Sequence, residues 1–309
     1  MSEAPSRALK RALDALCGAT DIGERLARDP LWFARRYAAP ADQEVAAIFA
    51  SSLAFGRVSL FWPVLSEVMR QADARGGPHA WVTGFGAGDA AALAPLVYRW
   101  NRGPDLALLA RTLQAALAEA GRIGAIFEGL HRPGDADLGP TLEAGVATLR
   151  AFARAAEGAQ TWGALPRGFR TFLPTPSEGS ACKRWNMLLR WMVRRPGPTT
   201  PDGQPARADA ADLGLWALPP AGLIIPLDTH VGRIARYVGL TQREDGSWRT
   251  AVEITSGLRR LDPEDPVRYD FALAHLGISG QCSGAYVPPV CGACALQPVC
   301  RVGNPSGIE

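Results

Sequence analysis

The sequence predicts an all-α fold, and three observations support that prediction. Apolar residues recur at helical spacing in many segments, proline and capping residues open several of them, and no strand-like alternation is sustained. Apolar residues make up 47% of the 309-residue chain and charged residues 20%, as is typical of globular proteins of one or two domains. No run of eighteen apolar residues occurs and charges interrupt the N-terminal segment. We therefore expect no membrane span and no secretion signal, and a cytoplasmic location.

The helices are expected in a definite order along the chain. A first amphipathic helix covers 5–17. Asp42 is expected to cap a second helix, and a third, after Gly56, is expected to hold Pro63 in its first turn. Ser247 and Asp265 are the expected N-caps of the last two helices. The remaining expected ranges are 45–53, 60–70, 104–120, 142–156, 229–238, 247–261 and 266–276, with a flexible insertion at 196–205.

Lysine is almost absent from this chain. Of the 33 basic residues 31 are arginine, and the two lysines are Lys10 and Lys183. Arginine stays protonated in proteins, whereas a partly buried lysine can lose its proton and act as a nucleophile. Lys10 is expected on the exposed face of the first helix, so Lys183 is the candidate for chemistry.

Lys183 opens the strongest local pattern of the sequence. Gly179 and Ser180 are expected to form a turn and an N-cap, which puts Lys183 in the first turn of a helix. The core-facing positions of that helix are Trp185, Leu188, Leu189 and Met192. The free N–H groups at such a helix start can hold a phosphate. A surface lysine on an ordinary helix fits the same residues.

A second pattern surrounds Asp228, which follows the apolar run 223–227 and precedes a helix. The simplest role of this carboxylate is to cap the helix, and a carboxylate fixed in that way also suits acid–base catalysis. His230 is either a metal ligand or a structural residue. Arg233 and Arg236 share one helix face and are candidates to contact phosphate.

Four cysteines follow near the end of the chain with the spacing C-x8-C-x2-C-x5-C. They are Cys282, Cys291, Cys294 and Cys300. A chain of this length does not need disulfides to fold, so a metal site is the better interpretation. Net charge is only +3, but twelve basic and seven acidic residues lie between Lys183 and Arg260, a local excess of +5. That excess suits a polyanionic partner, although solvated arginines on helix faces would produce it too.

Taken together, these patterns resemble two known groups of proteins. Lys183 after a turn, the segment PLDTHVGRIAR and the four cysteines are similar to the helix-hairpin-helix DNA glycosylase superfamily, whose iron-sulfur member is endonuclease III. A closer resemblance, to a bacterial family of conserved proteins of unknown function, covers most of the chain. It rests on the segments DPLWFARRY, DQEVAAIFASSLAFGR, KRWNMLLRWMVR, DLGLW, LIIPLDTHVGRIARYVGL and YDFALAHLGISG.

The glycosylase resemblance implies roles for individual residues. Lys183 matches the nucleophilic lysine and Asp228 the catalytic aspartate, and their 45-residue interval is nearer to that of an archaeal branch specific for 8-oxoguanine. The cysteines match the ligands of a [4Fe–4S] cluster, with structural zinc as the alternative. The residues expected to contact DNA are Gly179, Ser180, Arg184, Arg233, Arg236 and Arg57, the last filling the space of a flipped base.

The resemblance also implies an architecture and an activity. We expect a two-lobed helix-hairpin-helix fold, with residues 42–195 in one lobe and 1–41 plus 209–309 in the other, and double-stranded DNA bound by a monomer in the cleft between them. The expected activity is a glycosylase with associated lyase activity on an oxidised base, with 8-oxoguanine the first candidate. The alternatives are a non-catalytic iron-sulfur protein that binds nucleic acid on the same fold and, further away, a redox iron-sulfur protein.

Overall fold

A computed structural model describes residues 3–198 and 211–303, and these residues are mostly helical. The all-α prediction is therefore confirmed. In the described part, strand structure is limited to Val97–Tyr98 and Asn101–Arg102, which form a small antiparallel hairpin with Val97 opposite Arg102. None of the described helices is both long enough and apolar enough to cross a bilayer. The expected insertion at 196–205 lies mostly outside the described residues.

The contacts of the chain divide it into two compact units. We call Arg28–Glu178 with Leu215–Leu218 the helical unit, and Met1–Ala27, Gly179–Gly214 and Pro219–Glu309 the cysteine unit. The predicted lobes differ from this division: they put 179–195 with the preceding helices, and 28–41 and 215–218 in the other lobe. For 179–195 the reason is that Arg190 and Arg194 form ion pairs with carboxylates of the cysteine unit.

The helical unit is built from helices of very different length around a core of large aromatic side chains. Phe49 packs on Trp81 with ring centroids 5.4 Å apart, and both side chains are fully buried. Its α-helices are Leu31–Arg35, Pro40–Leu53, Val58–Asp73, Pro78–Thr83, Ala87–Leu93, Gly103–Ala120, Ile123–Leu130, Gly139–Glu157 and Arg167–Arg170. Short 3-10 turns cover Trp162–Ala164 and Pro176–Glu178.

A buried glutamate joins three parts of the helical unit. The carboxylate of Glu44 accepts hydrogen bonds from the backbone N–H groups of Ile123 and Gly124, at 2.9 and 2.8 Å, and from Nε1 of Trp216 at 2.7 Å. Ile123 begins a helix, so Glu44 satisfies donors that the helix itself leaves free. The indole of Trp216 stacks on Phe127, which places this tryptophan in the core of the unit.

The cysteine unit holds the helices on which the sequence patterns were found. We name three of them: the lysine helix (Lys183–Val193), the aspartate helix (Thr229–Tyr237) and the Asp270 helix (Asp270–Ile278). The cysteine segment is residues 282–300. The other α-helices are Glu3–Ala19, Ile22–Leu26, Trp248–Arg259 and Pro288–Gly292, with 3-10 turns at Pro220–Gly222 and Gln297–Val299. The predicted core positions of the lysine helix are all buried, namely Trp185, Leu188, Leu189 and Met192.

Several helices begin elsewhere than predicted. Asp42 does not cap its own helix, which begins at Pro40; its Oδ1 accepts the backbone N–H of His79 at 2.9 Å and so serves the next-but-one helix. Pro63 lies in the interior of the helix that begins at Val58. Asp265 does not open a helix at 266, because its carboxylate is held by Arg194, and the helix begins at Asp270. Ser247 is the cap that was predicted, and accepts from the N–H of Thr250.

Candidate functional site

Lys183 is the first residue of the lysine helix. The residue before it, Cys182, is fully buried and has a left-handed backbone with φ +49°, which is unusual for a residue with a side chain. Cys182, rather than Ser180, is therefore the N-cap, and Ser180 Oγ instead accepts the N–H of Cys182 at 3.1 Å. Nζ of Lys183 lies 3.7 Å from Sδ of Met187, one turn further along the same helix.

Asp228 divides its two oxygens between two tasks. Oδ1 accepts the backbone N–H groups of His230 and Val231, both at 2.9 Å, and so caps the aspartate helix as the sequence predicts. Oδ2 lies 3.9 Å from Nζ of Lys183. The structure thus brings together two side chains that are 45 residues apart in sequence. The side chains are 31% and 23% exposed, so both are partly desolvated and still accessible.

A third side chain of this site, Asp270, was not singled out by the sequence reasoning. It begins the Asp270 helix, is 3% exposed, and its Oδ2 accepts a hydrogen bond from Arg190. Burial raises the pKa of Asp270 from 3.8 to about 6 despite Arg190, and the charge of Asp228 adds to the rise while Lys183 opposes it. The sequence signal that could have indicated Asp270 is the segment YDFAL, in which it is the one carboxylate at the start of a largely apolar helix.

Asp270 also belongs to a buried ion network beneath the lysine helix. Arg190 pairs with Asp270 and with Asp212, and Arg194 pairs with Asp212 and with Asp265. Among the described residues, two guanidiniums thus face three carboxylates. Both arginines contribute to the basic excess that the sequence shows between 183 and 260, but they are buried and neutralised. That excess therefore overstates the positive charge available to a polyanion.

The Asp228 site is linked to the cysteine segment through the aspartate helix. Arg233 donates from Nη2 to the carbonyl oxygen of Cys282 at 2.6 Å, and the hydroxyl of Tyr237 donates to the carbonyl of Gly284 at 3.3 Å. The carbonyl of Tyr237 in turn accepts the N–H of Arg301 at 2.8 Å. The aspartate helix therefore carries Asp228 at its start and holds both ends of the cysteine segment further along.

The four thiols of the cysteine segment are free and half-buried. Burial raises the pKa of Cys282 and of Cys294, and neighbouring thiols of the same set contribute to both rises. Two sulfurs accept backbone hydrogen bonds: Cys291 from Val287 at 3.4 Å and Cys300 from Gly303 at 3.3 Å. Within residues 3–198 and 211–303, however, no three His, Cys, Asp or Glu side chains are arranged to hold a metal ion. Four thiols are the donor set that an iron-sulfur cluster requires. In this structure, however, they are not arranged around a common metal position.

The residues expected to contact DNA have different surroundings. Gly179 is exposed, with φ +80°, and its carbonyl accepts the N–H of Trp248 at 3.1 Å. Arg184 is half-buried on the lysine helix. Arg233 is engaged with Cys282, and Arg236 donates to the carbonyl of Arg243 at 3.3 Å. Arg57 is exposed in the helical unit, where it precedes the helix Val58–Asp73.

His230 is placed by packing. Its side chain lies against Gly277 of the Asp270 helix, where an added Cβ would come within 2.5 Å of the His230 Cβ. Its Nδ1 is buried and has no hydrogen-bond partner among the described residues. Of the two roles that the sequence left open for His230, the structural one therefore agrees with its surroundings.

Comparison with known proteins gives one match. A search of curated proteins and a search of solved structures each found no significant match to the chain. The model of the family described as Protein of unknown function (DUF2400) matches residues 29–279. The matched region includes Lys183, Asp228 and Asp270 and ends just before Cys282. The resemblance to a family of unknown function is thus confirmed, and the chain belongs to the DUF2400 family.

Proposed function

We propose that this protein is a DNA base-excision enzyme that removes an oxidised base and cleaves the strand through a Schiff base on Lys183. The observation that carries the proposal is the 3.9 Å separation between Nζ of Lys183 and Oδ2 of Asp228. A lysine amine beside a carboxylate in a partly desolvated site is suited to attack an electrophilic sugar carbon. The resemblance to helix-hairpin-helix glycosylases supplies the substrate class.

The chemistry follows from the two side chains. The ammonium of Lys183 first gives a proton to Asp228. The neutral amine then forms a bond to C1′ of the deoxyribose as the bond from C1′ to the base breaks, and the base leaves with the electron pair and takes that proton. The attached nitrogen gives a second proton to Asp228, its lone pair breaks the C1′–O4′ bond, and O4′ takes the proton from Asp228, which leaves a protonated Schiff base. Loss of a C2′ proton to solvent then breaks the bond from C3′ to the 3′ phosphate, which leaves with the electron pair.

The charges around Lys183 favour the cationic stages of that sequence. Asp228 and the buried Asp270 both place negative charge near the amine. Such fixed charges stabilise a positive charge that develops during reaction more effectively in a partly desolvated site than in water. 8-Oxoguanine is our first candidate base.

A [4Fe–4S] cluster, where bound, is held by Cys282, Cys291, Cys294 and Cys300 and serves as a structural crosslink of the cysteine segment. Four thiols within one short segment, two of them accepting backbone N–H groups, support this assignment. The engagement of Arg233 and Tyr237 with the same segment means that a folded segment also fixes the helix that carries Asp228. The alternative occupant is structural zinc.

Borohydride trapping tests the proposed activity. The protein is incubated with duplexes that contain 8-oxoguanine, other oxidised, alkylated or deaminated bases, or an abasic site, and the Schiff base is reduced to a stable crosslink. We expect a crosslink with the wild type and none with Lys183→Gln. Lys10→Gln is the matched control, because Lys10 is the only other lysine of the sequence and must leave trapping unchanged.

The trapping result separates the proposal from its alternative. Peptide mapping must locate the crosslink at Lys183, which excludes a reaction of the terminal amine. We expect Asp228→Asn to slow trapping about 100-fold or more, as loss of an acid–base group does. DNA binding without trapping on any duplex of the panel would contradict the proposal and favour the non-catalytic nucleic-acid-binding protein.

A further inference from the structure

A group of aromatic and arginine side chains lies at the surface of the helical unit and takes no part in the chemistry proposed for Lys183. It comes from the turn 54–60, which runs into the helix Val58–Asp73, and from the hairpin 95–102, together called the two loops. It consists of the half-buried Phe55 and the exposed Arg57, Arg99 and Trp100, and we call it the Trp100 surface. Trp100 is 52% exposed, and its neighbours in the same loops, Leu60 and Val97, are 51% and 50% exposed. So much exposed apolar area in two adjoining loops indicates a binding surface.

The Trp100 surface is rigid. The Trp100 ring stacks on Phe55, with centroids 4.9 Å apart and planes inclined by 18°. Nε1 of Trp100 donates to Oγ1 of Thr171 at 3.3 Å, which fixes the direction of the indole. The hydroxyl of Tyr98 donates to the carbonyl of Phe55 and so ties the two loops together. An aromatic ring held in this way loses little conformational entropy on binding.

Arg99 is held against the same two rings. Its guanidinium carbon lies 5.9 Å from the centroid of Phe55 and 5.9 Å from that of Trp100. Gly56, at φ +77°, leaves room for it, because an added Cβ would lie 3.0 Å from the Arg99 guanidinium. The backbone of Arg99 itself is strained, with φ +53°. Among the described non-glycine residues, only Cys182, beside Lys183, also has a positive φ.

The charge of the two loops selects the partner. Residues 54–60 and 95–102 contain Arg57, Arg99 and Arg102 and no acidic residue, which makes a local charge of +3. All three arginines are exposed. An exposed, oriented indole beside arginines in loops without acidic residues is the combination that binds a nucleic-acid strand, since a base stacks on the ring while the phosphates meet the cations.

We infer that the Trp100 surface binds single-stranded DNA by stacking an unpaired base on Trp100, with Arg57 and Arg99 on the adjoining phosphates. The inference rests on the proposed function for the choice of DNA over other polyanions. It is independent of the chemistry at Lys183, because a strand can stack on Trp100 whether or not its sugar reacts.

Equilibrium binding tests the inference without any catalytic step. The probes are a fluorescein-labelled single-stranded oligodeoxynucleotide and a closed hairpin, a fully paired duplex whose two ends are joined by non-nucleotide linkers and which therefore has no unpaired base. We expect Trp100→Ala to weaken binding of the single strand between about 5-fold and about 150-fold, the usual effect of removing one stacked base. Its effect on the closed hairpin should be under about 2-fold.

Three further variants keep the test decisive. Trp100→Phe retains a ring and should keep most of the affinity, whereas Trp100→Leu keeps apolar bulk and should behave like alanine. Arg99→Ala should reduce the slope of log Kd against log salt by about 0.7 on the single strand. The matched control is Trp162→Ala, because Trp162 also packs under an arginine, Arg150, at 4.3 Å, but that arginine is neutralised by Glu178.

The outcomes separate this inference from the proposed function. Unchanged single-strand affinity in Trp100→Ala, an equal loss on both probes, or full affinity in Trp100→Leu would overturn the inference, the last because binding would then not need an aromatic ring. If trapping fails but Trp100→Ala loses single-strand binding selectively, the surface is correct and the glycosylase proposal is wrong. If trapping succeeds but Trp100→Ala does not selectively lose single-strand binding, the glycosylase proposal is supported and the inference about the Trp100 surface is wrong.

Discussion

Replacing Asp270 by asparagine is expected to stabilise the protein at neutral pH, although Asp270 is buried and paired with Arg190. The ion network holds two guanidiniums, from Arg190 and Arg194, against three carboxylates of the described residues. Among the described residues one carboxylate is therefore in excess; Asp228 adds negative charge beside Asp270, and Lys183 partly offsets it. Asparagine in place of Asp270 leaves two charges of each sign among the described members of the network.

The magnitude follows from the pKa of Asp270, which rises from 3.8 in an unfolded chain to about 6. A folded-state pKa above the unfolded value means that the carboxyl favours folding below about pH 4 and that this contribution is lost as the pH rises through 6. At about 1.36 kcal/mol per pKa unit, the ionised Asp270 lowers the free energy of unfolding by about 3 kcal/mol at pH 8 and by about half of that at pH 5. The Asp270→Asn substitution removes this penalty, because the asparagine side chain does not ionise.

Urea unfolding followed by tryptophan fluorescence measures the effect at both pH values. Arg190→Met is the contrasting variant, because it removes the arginine paired with the buried Asp270, while Asp212 keeps Arg194, and it should cost about 3–5 kcal/mol. Arg70→Met is the control for losing an arginine: its pair with Glu67 is exposed, and its removal should cost about 0–1 kcal/mol. The explanation by excess negative charge is wrong if Asp270→Asn is less stable than the wild type at pH 8. It is also wrong if the difference in free energy of unfolding between the two proteins is the same at pH 5 and pH 8.

Three other predictions concern packing, capping and the cysteines. Gly277→Ala should lower the free energy of unfolding by about 1–3 kcal/mol, because the added Cβ would meet His230. Gly129 is also next to last in its helix but has open space around it, so Gly129→Ala should be neutral or stabilising by up to about 1 kcal/mol. Thermal unfolding of the two variants distinguishes these outcomes. Glu44→Leu should lose about 3 kcal/mol or more in urea unfolding, since three buried donors lose their acceptor. Anaerobically purified protein should show the broad visible absorbance and iron content of a cluster, lost in Cys294→Ser but not in Cys17→Ala; zinc in the wild type, or neither metal, would contradict the cluster.

The parts of the site that were predictable are local in sequence. The cap formed by Asp228 joins its side chain to N–H groups two and three residues further on, so the residue type and the following helix suffice to predict it. The core face of the lysine helix follows in the same way from apolar spacing. The proximity of Lys183 to Asp228 is not local, and here the expectation came from the resemblance to the glycosylases.

What the sequence could not show depends on partners far along the chain. Asp42 accepts from the backbone N–H of His79 and Asp265 accepts from Arg194, so these two carboxylates, unlike Asp228, are engaged by distant groups instead of capping the helices predicted for them. Asp270 and Arg190 meet across 80 positions of sequence. No composition count distinguishes a buried, neutralised arginine from one on the surface. For the same reason, the basic excess between 183 and 260 overstates the positive charge exposed there.

The buried network and the candidate site are best understood together. Among the described residues, the network holds three carboxylates against two guanidiniums, and selection for stability alone gives no reason to keep the third. The excess charge is located where it acts on Lys183 and Asp228, and the left-handed backbone of Cys182 lies next to the same lysine. Destabilising features concentrated around one side chain are characteristic of functional sites, where stability is given up for activity. If that is their cause here, Asp270→Asn must gain stability and lose trapping rate in the same protein, and a variant that gains the first without losing the second would assign the network to structure alone.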